Sequence, residues 1–277
     1  MNCRSGATQW HADVACAYGT PLAMTRVDGR TAHQLRTPEM ILGFHRMAEG
    51  SVLYRVGGTL VLATASVDEK VPPFLEGKGK GWVTAEYQMH PRSNPVKRES
   101  RDGRGKAPSG RTMEIQRLVG RALRAVVDTK ALGERQISVD CDVLEADGGT
   151  RTASVTAGFV ALAIACDKLQ KSGVLAQPIL REPVSAVSAG CIAAGVVLDL
   201  CYAEDSKALV DLNVVATASG GLIEVQGTAE DKPVPRNIFD ELVNVALVGT
   251  QELCAMQRAA LAAHGIDLDA LLIKGGA

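Results

Sequence analysis

Three stretches in the first half of the chain alternate apolar and polar positions, the period-two pattern of a half-buried β-strand. Residues 51–67 alternate on both sides of Gly57-Gly58, so they predict two strands joined by a tight hairpin turn. Residues 81–90 predict another strand, and residues 136–147 predict a further one with one buried and one polar face.

Two other stretches in this half place their apolar residues at helical spacing. Residues 112–128 repeat them every three or four positions, and Glu114 lies in the first turn, where a negative charge favours the helix dipole. Residues 152–169 form an Ala-rich apolar stretch shortly after Gly148-Gly149. We therefore predict one helix over each stretch.

The second half of the chain repeats the order of strands followed by a helix. Four β-branched runs punctuated by glycines predict antiparallel hairpins and cover residues 184–189, 195–202, 209–218 and 221–226. A helical pattern then runs from Asn237 to about His264, with Asp240 at the capping-box position and Gly265 as the stop. Because this order occurs twice, we predict an α+β fold with internal pseudosymmetry.

The length of 277 residues fits about two domains, or one duplicated unit, at roughly 150 residues per domain. We expect residues 1–24 to be a disordered leader without the apolar core of a signal peptide, residues 25–265 to form a single domain of two halves, and residues 266–277 to be a C-terminal tail. Within the leader, Cys3, His11 and Cys16 could form a metal site. The segment has no periodic pattern, however, so we favour an unstructured leader over a metal site.

Composition and charge narrow the class of protein. The 30 Lys and Arg residues against 31 Asp and Glu residues give a net charge of −1. This excludes a protein that binds nucleic acid through a uniformly basic surface. No uninterrupted apolar run approaches the roughly 20 residues of a membrane span, so we expect no membrane partner. The seven scattered cysteines form no Cys-x-x-Cys pair, which indicates a reducing compartment, most simply the cytoplasm.

Positive charge is concentrated in residues 78–111, which contain the strand predicted over residues 81–90 and the long loop that leads from it to the next predicted helix. Three acids lie there: Glu86, Glu99 and Asp102. The nine basic residues are Lys78, Lys80, Arg92, Lys97, Arg98, Arg101, Arg104, Lys106 and Arg111. Such a loop attracts a phosphate backbone without reading bases, although a solvated linker has the same composition. On charge alone both interpretations stay open.

Two predicted helices begin with Gly, Arg and Thr. Before the second of them, glycines at 148 and 149 let backbone N–H groups approach an anion, the helix N-terminus adds its dipole, and Arg151 adds a two-pronged donor. The spacing is not that of a P-loop or of a dinucleotide-binding turn. A tight turn with an incidental arginine is the alternative, but Gly110-Arg111 at the other helix favours a phosphate site.

Four acids accompany the strands of the second half: Asp199, Glu204, Asp205 and Asp211. Carboxylate oxygens are ligands of Mg²⁺, which phosphoryl transfer uses to neutralise charge. On one straight strand Asp205 and Asp211 would stand about 20 Å apart, so they share a metal only if residues 206–208 form a turn. Solvated acids at a strand edge are the alternative.

Taken together, the chain resembles the bacterial ribonuclease PH family of phosphorolytic exoribonucleases, from about residue 25 to the C-terminal helix. The matching segments are RVDGR at 26–30, AEGSVL at 48–53, ATASV at 63–67, GKGWVTAEY at 79–87, GRTMEIQRL at 110–118, CDVLEADGGTRTAS at 141–154, YAEDS at 202–206, DLNVV at 211–215 and IEVQGTAE at 223–230. The leader is the main departure, and residues 95–101 carry a one-residue insertion.

The resemblance implies a function and a site. Family members use inorganic phosphate to release nucleoside diphosphates from RNA 3′ ends, trim tRNA precursors beyond the CCA end, run the reverse polymerisation, and are linked to rRNA processing. The implied phosphate-binding residues are Arg111, Gly149, Thr150 and Arg151; the implied catalytic and Mg²⁺-binding residues are Asp205 and Asp211; the implied RNA-binding residues are Arg92, Lys97, Arg98 and Arg101. The family also forms homohexamers, as trimers of dimers, and is cytoplasmic.

Two other functions are weighed against this one. The first is a catalytically silent RNA-binding subunit of an exosome-like ring; such subunits have typically lost the phosphate site or the aspartates, and this chain retains both. The second is a small-molecule kinase or isomerase, against which the long basic loop and the missing nucleotide-binding glycine loop argue. Phosphorolysis and ATP-binding assays separate the three.

Overall fold

The computed structural model describes residues 26–94, 96, 98, 107–192, 195–230 and 232–274, so the leader predicted over residues 1–24 lies outside it. Its strands are β1 (Pro38–Leu42), β2 (Gly50–Val56), β3 (Thr59–Asp68), β4 (Trp82–Met89), β5 (Gln136–Glu145), β6 (Val184–Ile192), β7 (Gly195–Leu198), β8 (Val210–Thr217) and β9 (Leu222–Ala229). Its helices are α1 (Gly110–Ala125), α2 (Thr129–Leu132), α3 (Thr150–Lys171), α4 (Tyr202–Asp205), α5 (Arg236–Ala263) and α6 (Leu268–Leu271).

The strands form two sheets, one in each half of the chain. The first has the order β1-β2-β3-β5-β4, and the second has the order β7-β6-β8-β9. All pairings are antiparallel except that of β4 with β5, which is parallel. The predicted α+β fold, the hairpin at Gly57-Gly58 and the antiparallel hairpins of the second half are therefore confirmed. The parallel pair is important for the site, because it brings the carboxyl ends of β4 and β5 to the same edge.

Helix α3 joins the two halves. It packs on β2, β3 and β5 of the first sheet and on β6 and β8 of the second. Its Ala-rich sequence suits this position, because small side chains let both sheets approach, and nearly all of the residues from Thr150 to Cys166 are buried. Helix α1 covers β4 and packs against α3, while α5 covers β6 and β8. The N-terminus of α3 is thereby fixed between the halves.

Three sequence predictions differ from the structure at element ends. Helix α1 begins at Gly110 rather than Thr112, so Glu114 lies beyond its first turn. Helix α5 begins at Arg236 behind Pro235 and has no side-chain cap, so Asp240 is not part of a capping box; it lies 3.6 Å from Arg236 instead. Strand β7 ends at Leu198 rather than Tyr202, because Asp199 takes a left-handed conformation with φ of 57° and turns the chain out of the sheet.

The segment predicted as a C-terminal tail packs on the main core as far as the described residues extend. Leu268 and Leu271 of α6 are buried there. Among the described residues, α3 is the one helix long and apolar enough to cross a membrane. Of its apolar 18-residue stretch, 89% is buried inside the fold, as in a core helix. The five described cysteines are free thiols.

Candidate active site

A cleft of about 1150 Å³ lies between the two halves. The carboxyl ends of β4 and β5 and the first turns of α1 and α3 line one side, and α4 and β8 line the other. Predicted site residues that line it are Arg92, Arg111, Gly149, Thr150, Arg151, Asp205 and Asp211. Arg98 is exposed and lies outside the lining, and Lys97 and Arg101 are outside the described residues. The predicted phosphate-binding residues and the predicted cation-binding carboxylates thus line the same cleft.

The turn between β5 and α3 forms an anion-accepting wall. Gly148 and Gly149 have φ angles of 77° and 67°, in the left-handed region that favours glycine. Gly149 precedes the first turn of α3, which has no side-chain cap, so backbone N–H groups there are available to an anion. Thr150 is buried and its hydroxyl is hydrogen-bonded to the Tyr87 hydroxyl at 2.9 Å. Its backbone N–H is the group it can offer a ligand.

Gly148 is a point of close contact between the halves. A Cβ atom there would lie 2.7 Å from the backbone nitrogen of Tyr202 and 2.8 Å from the carbonyl oxygen of Leu200. We expect Gly148→Ala to lower the free energy of unfolding by about 2–5 kcal/mol, since left-handed strain and overpacking act together. Urea denaturation measures the loss.

Gly173→Ala is the matched control for this substitution. Gly173 has a similar φ of 75°, but a Cβ atom added there would meet nothing within 4 Å. Only the backbone strain then remains, about 1 kcal/mol. Equal losses in the two variants would show that Gly148 is not a point of steric contact between the halves.

Arg151 is held in place by two neighbours from other elements. Its Nη1 donates to Gln226 Oε1 at 2.7 Å and to Glu114 Oε1 at 3.3 Å, and Gln226 Nε2 donates to the same Glu114 oxygen at 2.8 Å. Arg111, in the first turn of α1, is exposed and forms no ion pair with any described residue. One oriented and one free guanidinium therefore face the same cleft.

The carboxylates Asp205 and Asp211 meet because the chain turns between them. After α4, the N–H of Ala208 bonds back to the carbonyl of Asp205 at 3.2 Å, and β8 begins at Val210. The walls of the cleft desolvate Asp205 and Asp211 repels its charge, which raises the pKa of Asp205 although Arg111 and Arg151 act to lower it. The turn required at residues 206–208 is present.

The other two acids of this set belong to buried ion pairs. Arg26 donates to both carboxylate oxygens of Glu204, at 2.8 and 2.7 Å. Arg36 binds both oxygens of Asp199, at 3.0 and 2.6 Å, and its Nη1 donates to the carbonyl of Asp147 beside the glycine turn. Burial acts to raise the pKa of Glu204, but hydrogen bonds and charge from Arg26 outweigh it and lower the pKa. Asp199 and Glu204 therefore hold the chain between β7 and β8 to the segment that precedes β1.

The donor set of the cleft fits a hard divalent cation. Oδ1 of Asp211 is buried and has no hydrogen-bond partner among the described residues. Desolvation and repulsion by Asp211 raise the pKa of the neighbouring Asp205. A cation would pair with the unpartnered oxygen and would favour the charged form of Asp205. No cluster of three or more His, Cys, Asp or Glu side chains within the described ranges is arranged as a metal site. Two carboxylates suit Mg²⁺, which keeps waters and binds substrate phosphates, better than Zn²⁺.

Sequence reasoning missed three supporting residues. Gln226 and Glu114 orient Arg151, and Tyr87 holds Thr150. Glu114 is predicted only as a helix-dipole residue, because its partners lie 37 and 112 positions away along the chain. No local pattern signals these contacts.

Comparison with known proteins identifies two domains in the chain. Residues 34–166 match the model described as 3′ exoribonuclease family, domain 1. Residues 182–249 match domain 2 of the same family. Together the two matches span well over half of the chain and contain Arg92, Arg111, Arg151, Asp205 and Asp211.

Solved structures share the fold. Rice (Oryza sativa) Rrp46 superposes with a TM-score of 0.69 at 18% identity, covering 85% of this chain and 100% of that one. A chain of the Archaeoglobus fulgidus exosome with RNA bound to the active site gives 0.69 at 20% identity, covering 88% and 98%. A chain of an archaeal exosome core gives 0.66 at 20% identity, covering 90% and 99%. At these identities the likeness concerns the fold alone.

Proposed function

Because the chain belongs to the 3′ exoribonuclease family, we propose that its cleft removes nucleotides from RNA 3′ ends with inorganic phosphate as the attacking group. One observation carries the proposal: Arg111 and Arg151, the uncapped N-terminus of α3, and the carboxylates of Asp205 and Asp211 all line a single cleft. The first two bind an anion, and the last binds a cation. A hydrolase would need no second anion site beside the scissile phosphate.

The residues of the chain position and polarise the reacting groups. Arg111, Arg151 and the backbone N–H groups at the start of α3 hold inorganic phosphate. A phosphate oxygen forms a bond to the phosphorus of the last phosphodiester, and the bond from that phosphorus to the 3′ oxygen of the preceding nucleotide breaks. The proton lost by the attacking phosphate ends on that 3′ oxygen, and a nucleoside diphosphate leaves. No side chain acts as nucleophile.

Asp205 and Asp211 would hold the divalent cation, which we propose to be Mg²⁺. When bound, such an ion neutralises charge on the oxygens around phosphorus. Asp211 contributes an oxygen that has no hydrogen-bond partner within the described part of the chain, and Asp205 is stabilised in its charged form by any cation beside it. The two aspartates therefore serve as ligands rather than as acid and base.

The substrates and assembly follow the same proposal. Arg92 at the cleft, with Arg98, Lys97 and Arg101 in the basic stretch, would contact the RNA backbone without base specificity. We propose tRNA precursors that extend beyond CCA as the main substrate, with the reverse addition of nucleotides and a role in rRNA processing. The active form would be a cytoplasmic homohexamer, arranged as a trimer of dimers.

A phosphate-dependence assay tests this function. RNA ending a few nucleotides beyond CCA is incubated with Mg²⁺, with and without inorganic phosphate, and the products are separated. We expect nucleoside diphosphates only when phosphate is present. Nucleoside monophosphates released without phosphate would identify a hydrolase and contradict the proposal.

A catalytically silent RNA-binding subunit is the second candidate, because the fold is shared with exosome chains. The presence of Arg111, Arg151, Asp205 and Asp211 in one cleft favours the active enzyme. RNA binding without any phosphate-dependent product, in the presence of Mg²⁺, would favour the silent subunit instead.

A further inference from the structure

One aromatic ring in the cleft has no role in the chemistry described so far. Of the described residues, only Tyr87 and Tyr202 are aromatic side chains in the lining. Tyr87 is 2% exposed and its hydroxyl is bonded to Thr150, so its ring belongs to the core. Tyr202 is 63% exposed, and its side chain forms no hydrogen bond with the described residues. Among the residues that the structure describes, the Tyr202 ring is thus the one accessible aromatic face in the cleft.

The backbone that carries this ring is fixed against the phosphate-binding turn. The N–H of Tyr202 donates to Asp147 Oδ1 at 3.4 Å, and its carbonyl accepts from the N–H of Ser206 at 3.0 Å. Gly148 packs so closely that a Cβ atom there would lie 2.7 Å from the Tyr202 nitrogen. The Tyr202 ring therefore extends from a backbone position that is held by hydrogen bonds and by close packing.

Tyr202 also lies beside the carboxylate that would hold the cation. It begins α4, and Asp205 ends it three residues later. Residues three apart in a helical turn lie on the same face, and both of these residues line the cleft. A phosphodiester placed between Arg151 and Asp205 would therefore bring an adjacent base to the ring.

An enzyme that removes nucleotides one after another needs a contact at this position that accepts any of the four bases. Arginines at the cleft attract phosphates but do not fix a base, whereas every base has a π-face that stacks on an aromatic ring. We propose that Tyr202 stacks on a base at the 3′ end of the RNA and aligns the last phosphodiester with the bound phosphate. The proposal rests on the proposed function and adds a base-binding subsite to it.

The test measures the binding of four RNA oligonucleotides to the full-length protein, without phosphate or divalent cation so that no turnover occurs. One oligonucleotide is intact, and each of the other three carries a single abasic ribose at one of the last three positions. For the wild type we expect one abasic position to weaken binding by roughly 5- to 150-fold, the range that base–aromatic stacking supplies. Tyr202→Leu should bind the intact RNA as weakly as that abasic RNA, and Tyr202→Phe should behave like the wild type.

Phe44→Leu is the matched control, because Phe44 is 51% exposed and lies outside the cleft lining. It should retain the full difference between intact and abasic RNA. Equal binding of all the RNAs by the wild type would overturn the proposal, as would a Tyr202→Leu variant that keeps the wild-type difference. Failure of the proposed function would appear separately, as missing phosphate-dependent product while the stacking difference persists.

Discussion

Replacing Asp211 with asparagine is expected to lower kcat for phosphorolysis by roughly 100- to 1000-fold, the usual loss when charge stabilisation at a reacting oxygen is removed. Asp211 Oδ1 is a buried oxygen to which no described residue donates a hydrogen bond, which suits a cation ligand. Asparagine keeps the size of the side chain but removes its charge, so RNA binding should remain. Initial rates at saturating RNA and phosphate, together with RNA affinity, measure the effect.

Cation binding gives this substitution a second readout. A ligand that binds only the folded state raises the melting temperature. We expect Mg²⁺ to raise the melting temperature of the wild type and not that of Asp211→Asn. Asp140→Asn is the control, because Asp140 is also half-buried with a pKa raised by desolvation and by Asp142, yet lies outside the cleft lining. Lost RNA binding in Asp211→Asn would make the residue structural.

Replacing Arg36 with methionine is expected to lower the free energy of unfolding by about 3–5 kcal/mol, because Asp199 is then left buried without its partner. The two side chains are 6% and 8% exposed, and the guanidinium also bonds the carbonyls of Asp147 and Leu200. Arg30 Nη1 reaches Asp199 only at 3.3 Å and compensates in part. Urea denaturation measures the loss.

Arg55→Met is the control for the buried pair. Arg55 and Glu145 are 40% and 53% exposed in their ion pair, so its loss should cost about 0–1 kcal/mol. If both substitutions lower the free energy of unfolding equally, the Arg36–Asp199 pair does not hold the segment before β1 to the chain between β7 and β8.

Elements with a local signal are predictable from the sequence. The glycine pair between two alternating runs is confirmed as the β2–β3 turn, and the Ala-rich stretch is confirmed as α3. The edge strand β1 has only five residues with a weak alternation, so no prediction covers it. The capping box at Asp240 fails because Pro235 starts α5 earlier than the pattern indicates.

The residues alone indicate the phosphate-binding turn before α3, but they do not separate the proposed cation ligands from the acids beside them. Asp199 and Glu204 stand near Asp205 in the sequence and look like cation ligands. Their arginine partners lie 163 and 178 positions away, so no spacing rule separates a buried ion pair from a metal ligand. The net charge of −1 is equally uninformative, because it averages a basic stretch with an acidic one.

The fate of inorganic phosphate is the most direct test of the cleft as a phosphorolytic site. RNA is incubated with phosphate labelled with heavy oxygen in unlabelled water, and the released nucleotides are weighed by mass spectrometry. The proposed reaction predicts nucleoside diphosphates that carry all four labelled oxygens, because the attacking oxygen becomes the bridge between the two phosphorus atoms. Nucleoside monophosphates without label would contradict it, since water would then be the attacking group.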